Sequence, residues 1–193
     1  SAGIFPIAGR ALPIVGVEPA LKPALSVTRT GGVGVMATRG TLASAKFQGL
    51  LQGLSDQARF VLQPCDGLAD AIERESHTGQ ADDMVRLARQ HVGALGAFGR
   101  GSGELDTLVL GCTHYPFAEQ VLRDLVGPDV TLIETGPAVA RQTRRLLEAA
   151  NGLHAPPHPG STTLLTTGDA DRMASAFAHW IGPRLPATQV RID

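Results

Sequence analysis

The sequence predicts an α/β protein built on a mostly parallel sheet, and three observations predict it. Short β-branched or apolar runs recur along the 193 residues. Each is followed by a few small or polar residues, and then by a stretch with helical apolar spacing. Alternation of this kind belongs to parallel strands joined by crossover helices. In such sheets the strand-to-helix turns gather at the carboxyl edge, where ligands bind.

The elements follow in order. A strand is expected over Pro13 to Val17, entering Glu18-Pro19 and a short helix near Ala20 to Val27. Val33 to Ala37 reads as a strand, Thr38-Arg39-Gly40-Thr41 as its turn, and Leu42 to Leu54 as one helix. Arg59 to Gln63 leads through Pro64-Cys65-Asp66-Gly67 into a helix from Leu68 to Glu73. Asp82 to Leu95 has the spacing of an amphipathic helix, and a Gly-rich loop follows it. Thr107 to Leu110 is a strand entering Gly111-Cys112-Thr113-His114, with Phe117 to Leu125 as helix. Val130 to Ile133 enters Glu134-Thr135-Gly136-Pro137 and a basic helix from Ala138 to Ala149. Asn151 to Ser161, rich in Pro, Gly and His, reads as a surface connection. Thr162 to Thr167 and Asp171 to Trp180 supply the last strand and helix.

Composition narrows the function classes. Hydrophobic residues make up 43% and charged residues 18%, the balance of a globular chain. A formal net charge of -1 argues against nucleic acid or an anionic membrane as a partner. No apolar run approaches the ~20 residues that span a bilayer. Aromatic residues at 4% are too sparse for a base-stacking platform. The two cysteines, Cys65 and Cys112, are too few for a disulfide framework and lack metal-ligand spacing, so a reducing cytoplasm is the expected compartment.

Cys112 follows a strand and is expected at the start of a helix, where the helix dipole and free N–H groups favour a thiolate. Thr113 offers a hydroxyl and an N–H to an anion, and His114 could move a proton or hold a substrate group. Pro116 suits the first turn of that helix. The competing reading makes Cys112 a buried small hydrophobe and His114 a satisfied polar residue. Residue chemistry alone leaves both open.

The run Leu108-Val-Leu-Gly-Cys-Thr-His-Tyr-Pro116 resembles the second active-site motif of glutamate racemases. Val15-Gly-Val-Glu-Pro-Ala-Leu-Lys-Pro23, Val33-Gly-Val-Met-Ala-Thr-Arg-Gly-Thr41 and Ile133-Glu-Thr-Gly-Pro-Ala-Val-Ala-Arg141 resemble further segments of that family, in the same order. The resemblance implies two facing parallel-sheet lobes of the aspartate/glutamate racemase type. It implies interconversion of L- and D-glutamate without cofactor or metal, by two thiols on opposite faces of Cα, supplying D-glutamate for peptidoglycan. Cys112 matches one acid–base thiol, Thr113 a substrate contact, and His114 its helper. Dimers are common in the family, so a homodimer is an expectation as well.

The family's first half-site, with an Asp-Ser-Gly turn and a Cys-Asn-Thr turn bearing the opposing cysteine, has no match in this sequence. The expectation is therefore a chain that lacks that part and is impaired alone. Residues 13–115 would form the second lobe, and residues 116–193 would return to a partial first lobe. Residues 1–12 match the helix after the missing turn only weakly. Strands in Val130 to Ile133 and Thr162 to Thr167 would then show an exposed edge or apolar face. A related substrate, aspartate or a hydantoin, and a non-catalytic fragment or interaction module are the alternatives.

Other turns carry weaker signals. Thr38 and Thr41 could hold an anionic substrate group through the N–H groups of their turn, or the turn could simply be a helix start with Thr41 as its cap and Arg39 solvated. Cys65 is expected to be structural, and Glu18 a surface or capping carboxylate. Asp70 and Glu73 lie where related enzymes place an acidic residue. Arg141, Arg144 and Arg145 have the spacing of a solvated helix face. His154 and His158 sit among prolines that would keep the two rings from sharing a metal.

Overall fold

The computed structural model describes residues 2–7, 10–153 and 160–192, with side chains from residue 14 onward. Four strands form the central sheet: β3 (Gly32–Ala37), β4 (Arg59–Pro64), β5 (Thr107–Leu110) and β6 (Thr131–Glu134). Their order is β4-β3-β5-β6, and every pairing is parallel. Two further pairs stand apart: the antiparallel hairpin β1 (Ala2–Ile7) with β2 (Arg10–Val15), and β7 (Leu164–Thr166) parallel to β8 (Ala187–Gln189).

Strand β3 is buried at all six positions, as a central strand covered on both faces must be. Alternate side chains still serve different cores. Val33, Val35 and Ala37, with Val109 of β5, pack against α1 (Leu21–Val27), α2 (Arg39–Ala43) and α3 (Ala45–Gln52). Met36, Leu108 and Leu110 face the opposite core, built from α4 (Leu68–Thr78), α5 (Asp82–Leu95) and α6 (Glu119–Val126). Gly34 admits that second layer closely, since a Cβ there would meet Leu108 and Leu105 side chains at 3.2 and 3.4 Å. The result is three layers, with helices on both faces of the sheet.

Polar pins secure the amino edge. Asp106, buried just before β5, accepts hydrogen bonds from Thr28 Oγ1 at 2.6 Å, Arg29 N at 2.7 Å, Thr30 N at 2.9 Å and Thr107 Oγ1 at 3.1 Å. Burial alone would raise its pKa, but these donors outweigh it and hold the carboxyl below the usual aspartate value.

Several expectations change. The strand placed over Pro13 to Val17 is β2, ending at Val15, and it joins a hairpin rather than the parallel sheet. The leader that matched a helix forms β1 instead. The helix expected over Leu42 to Leu54 breaks at Ser44, whose extended backbone ends α2 and whose side chain caps α3 by accepting from Phe47 N. Beyond residue 115 the chain returns to the central sheet, where β6 pairs with β5. Strand β6 is nonetheless an edge strand, half-buried at Leu132 and Ile133. Helix α7 (Gly136–Ala149) buries none of its residues, and Arg141, Arg144 and Arg145 lie exposed on it. Helix α8 (Ala170–Trp180) packs on α4 and carries β7 and β8 beside it. The pair His154 and His158 lies outside the described residues.

Candidate active site

Three turns at the carboxyl edge hold the candidate side chains. Parallel pairing brings them level: Cys65 N donates to Ala37 O at 2.9 Å and Gly111 N donates to Met36 O at 2.7 Å. The ends of β4, β3 and β5 therefore deliver Cys65, Thr38 and Cys112 to one edge, in that order across the sheet.

Cys112 is half-buried and does not begin an α-helix as expected. The chain leaves β5 through Cys112-Thr113-His114, makes one 3-10 turn over Tyr115–Ala118 with Pro116 in its first positions, and enters α6 only at Glu119. The ring of Tyr115, first in that turn, is fully buried in the core. A helix dipole consequently has little purchase on Cys112, since its effect fades within the first turn.

A side chain supplies what the helix does not. His114 Nδ1 stands 3.7 Å from Cys112 Sγ, and His114 Nε2 stands 2.7 Å from Glu73 Oε1 on α4. When Nε2–H donates to the Glu73 carboxylate, Nδ1 keeps its lone pair toward the thiol. Glu73 thus favours the tautomer whose Nδ1 faces Cys112 as an acceptor. His114 and Glu73 also line a cleft of about 430 Å3, walled by Phe117 and Trp180, whose rings stack at 5.0 Å, and rimmed by Arg172. Glu73 was one of two acidic candidates in the sequence; only the turn of α4 relative to the Cys112 loop separates it from Asp70, which no single-strand pattern reveals.

Thr113 is exposed beside Cys112. Thr38 is the N-cap of α2: its Oγ1 accepts from Thr41 N at 3.2 Å and lies 2.9 Å from Thr41 Oγ1. The capping role expected of Thr41 belongs to Thr38. Thr41 lines a separate cleft of about 290 Å3 together with Ser44 and Lys46. Lys46 pairs with Glu18 there and pulls that carboxyl down to about 2.

Cys65 is a different kind of cysteine. It is 3% exposed, its Sγ donates to Gln63 O at 3.3 Å, and burial pushes the thiol up to about 12. The Tyr115 hydroxyl lies against it without a well-formed hydrogen bond, and burial raises that phenol too. A thiol held protonated by its surroundings is a poor base.

Among the described residues no cluster of three or more His, Cys, Asp or Glu is gathered for a metal ion, and no helix is long and apolar enough to cross a membrane.

No family model matches the chain. Over 171 residues it is 46% identical to the glutamate racemase of Ectopseudomonas mendocina (strain ymp), covering 89% of this chain and 62% of the relative. It is likewise 46% identical over 161 residues to the glutamate racemase of Pseudomonas entomophila (strain L48), covering 83% and 58%. Among solved structures, a glutamate racemase from Bacillus anthracis matches with a TM-score of 0.72 and 26% identity, over 89% of this chain and 61% of that one. Escherichia coli glutamate racemase, in complex with L-glutamate and the activator UDP-MurNAc-ala, matches with a TM-score of 0.67 and 26% identity, over 87% and 62%. The chain spans about three fifths of the length of these relatives.

Proposed function

We propose that this chain, a homologue of the glutamate racemases, uses Cys112 as one of two proton-transfer groups in interconverting L- and D-glutamate. The observation that carries the reading is the line Glu73–His114–Cys112 at the carboxyl edge, in a chain so closely related to that family. His114 takes the Cys112 proton on Nδ1, and the thiolate then removes the α-proton from one face of glutamate. The pair of electrons left on Cα delocalises into the adjoining carboxylate, and a donor on the other face returns a proton to give the inverted centre. Thr113 and the Thr38–Thr41 turn present hydroxyls and N–H groups suited to the substrate's carboxylates. No cofactor is called for, because proton transfer is the whole reaction.

The second acid–base group is not Cys65, whose thiol is buried and turned to the backbone. In this reading Cys112 serves one face, and the opposing group comes from outside the residues described. D-Glutamate made this way would feed peptidoglycan synthesis in the cytoplasm. The test is uptake of deuterium at Cα from deuterated water, with D- and L-glutamate offered separately. Exchange of one enantiomer, abolished by Cys112→Ser, is the expected result. No exchange in the folded parent, or unchanged exchange in Cys112→Ser, overturns the reading.

A further inference from the structure

His91 is 4% exposed, deep in α5, and none of the chemistry above uses it. Its ring bridges two groups of the β4 turn. Nδ1 lies 3.1 Å from Gln63 Nε2, and Nε2 lies 3.2 Å from the Asp66 carbonyl. Gln63 Nε2 also donates to the Pro64 carbonyl at 2.8 Å, which orients its amide, since the opposite orientation would set two oxygens against each other. With both amide hydrogens committed, Nδ1 of His91 must accept and Nε2 must donate. The neighbouring groups therefore specify one neutral tautomer.

That turn supports both of its flanks. The Asp66 carboxylate bonds Arg39 Nη2 at 2.5 Å, and Arg39 lies inside the Thr38–Thr41 turn. Arg39 in turn draws the Asp66 carboxyl below the usual aspartate value. On the inner side, Cys65 packs with Tyr115, the residue that follows His114. An exposed Arg–Asp pair is weak alone, but here its anionic member stands on a turn fixed from beneath.

We infer that His91, held neutral with its proton on Nε2, is a positioning residue that fixes the Cys65-Asp66-Gly67 turn and, through Arg39 and Tyr115, sets the Thr38–Thr41 and Cys112–His114 turns for glutamate. The last clause rests on the racemase reading; the positioning itself does not.

The experiment is imidazole and amide nitrogen NMR on the full chain, with His91→Leu and His91→Gln beside the parent. Gln keeps an N–H for the Asp66 carbonyl and an oxygen for Gln63; Leu keeps neither. The expected parent spectrum shows the His91 ring hydrogen on Nε2. His91→Leu should shift the amides of Cys65 to Leu68, Thr38 to Thr41 and Cys112 to Tyr115, and weaken the glutamate-induced shifts several-fold. His91→Gln should restore both toward the parent. A protonated or Nδ1–H ring, or turn amides unmoved in a folded His91→Leu, overturns the inference. If His91→Leu does not fold, the parent tautomer and His91→Gln decide: turn amides of His91→Gln far from the parent's count against it. Failure of glutamate to shift any parent resonance counts against the racemase reading and leaves the tautomer and turn amides to judge the positioning.

Discussion

Gly111→Ala tests whether the close approach of β5 to β3 is what places Cys112. A Cβ at Gly111 would lie 2.9 Å from the Met36 carbonyl oxygen and 2.9 Å from Ala37 Cβ. Carbon contacts settle at about 3.5–4.0 Å, so the strand end would have to move by roughly 0.5–1 Å. Neither neighbour can yield, since one is backbone and the other is a methyl on the fully buried strand β3. The 2.7 Å bond from Gly111 N to Met36 O stretches in the same movement. Overpacking of this size costs about 1–3 kcal/mol of stability. A misplacement near 1 Å lowers the rate of positioned chemistry by about 100-fold, so a fall of roughly 10- to 100-fold in deuterium exchange at glutamate Cα is expected. Urea unfolding reads the first quantity and exchange in deuterated water the second. Stability and exchange both equal to the parent's would refute the claim that this contact sets the cysteine.

Three further outcomes follow from the same geometry. An alkylating reagent at pH 8 should label Cys112 and spare Cys65 in the folded chain, because Cys65 is 3% exposed and pushed up to about 12; peptide mapping checks this, and equal labelling would contradict the assignment. Glu73→Gln keeps the hydrogen bond to His114 but loses the charge that favours the tautomer, so exchange should fall by about 10- to 100-fold with little change in melting, whereas an unaltered rate would remove Glu73 from the mechanism. The Asp106 carboxyl sits below its unfolded pKa, so its contribution is full above about pH 4 and fades as pH falls through the lower folded value; Asp106→Asn should destabilise the chain at pH 7 and flatten its acid limb below about pH 4 in melting experiments, and parallel acid limbs would dismiss the role.

Much of the sheet was legible because its strands are short, β-branched and ended by small residues. The bounds of α5 follow from apolar spacing alone: Met84, Ala88, His91, Val92 and Leu95 form its buried stripe. His91 lies in that stripe, and its position marks it as buried without telling which turn it meets. Ser44 shows the limit of periodicity, because apolar spacing continues across it while its side chain turns to cap a new helix. Strand β8 carries Ala187, Thr188 and Gln189, and nothing in so short a polar run marks it until β7 stands alongside. The site was half legible. Cys112 and His114 are neighbours in the chain, so their meeting needs no fold, whereas Glu73 lies 41 residues from His114 and meets it only through the docking of α4.

The pairing of β3 with both β4 and β5 also sets an order of assembly. Val33 pairs with Phe60 after a loop of modest length, but its other partner, Thr107, lies more than 70 residues along the chain. Closing so distant a contact is slow, and the half-built sheet leaves one side of β3 unpaired while synthesis continues. Cys112 therefore acquires its surroundings only in the step that completes the centre of the sheet. Until β5 locks beside β3, the Cys112–His114 turn has no fixed place beside α4, whose Glu73 meets His114 in the finished fold.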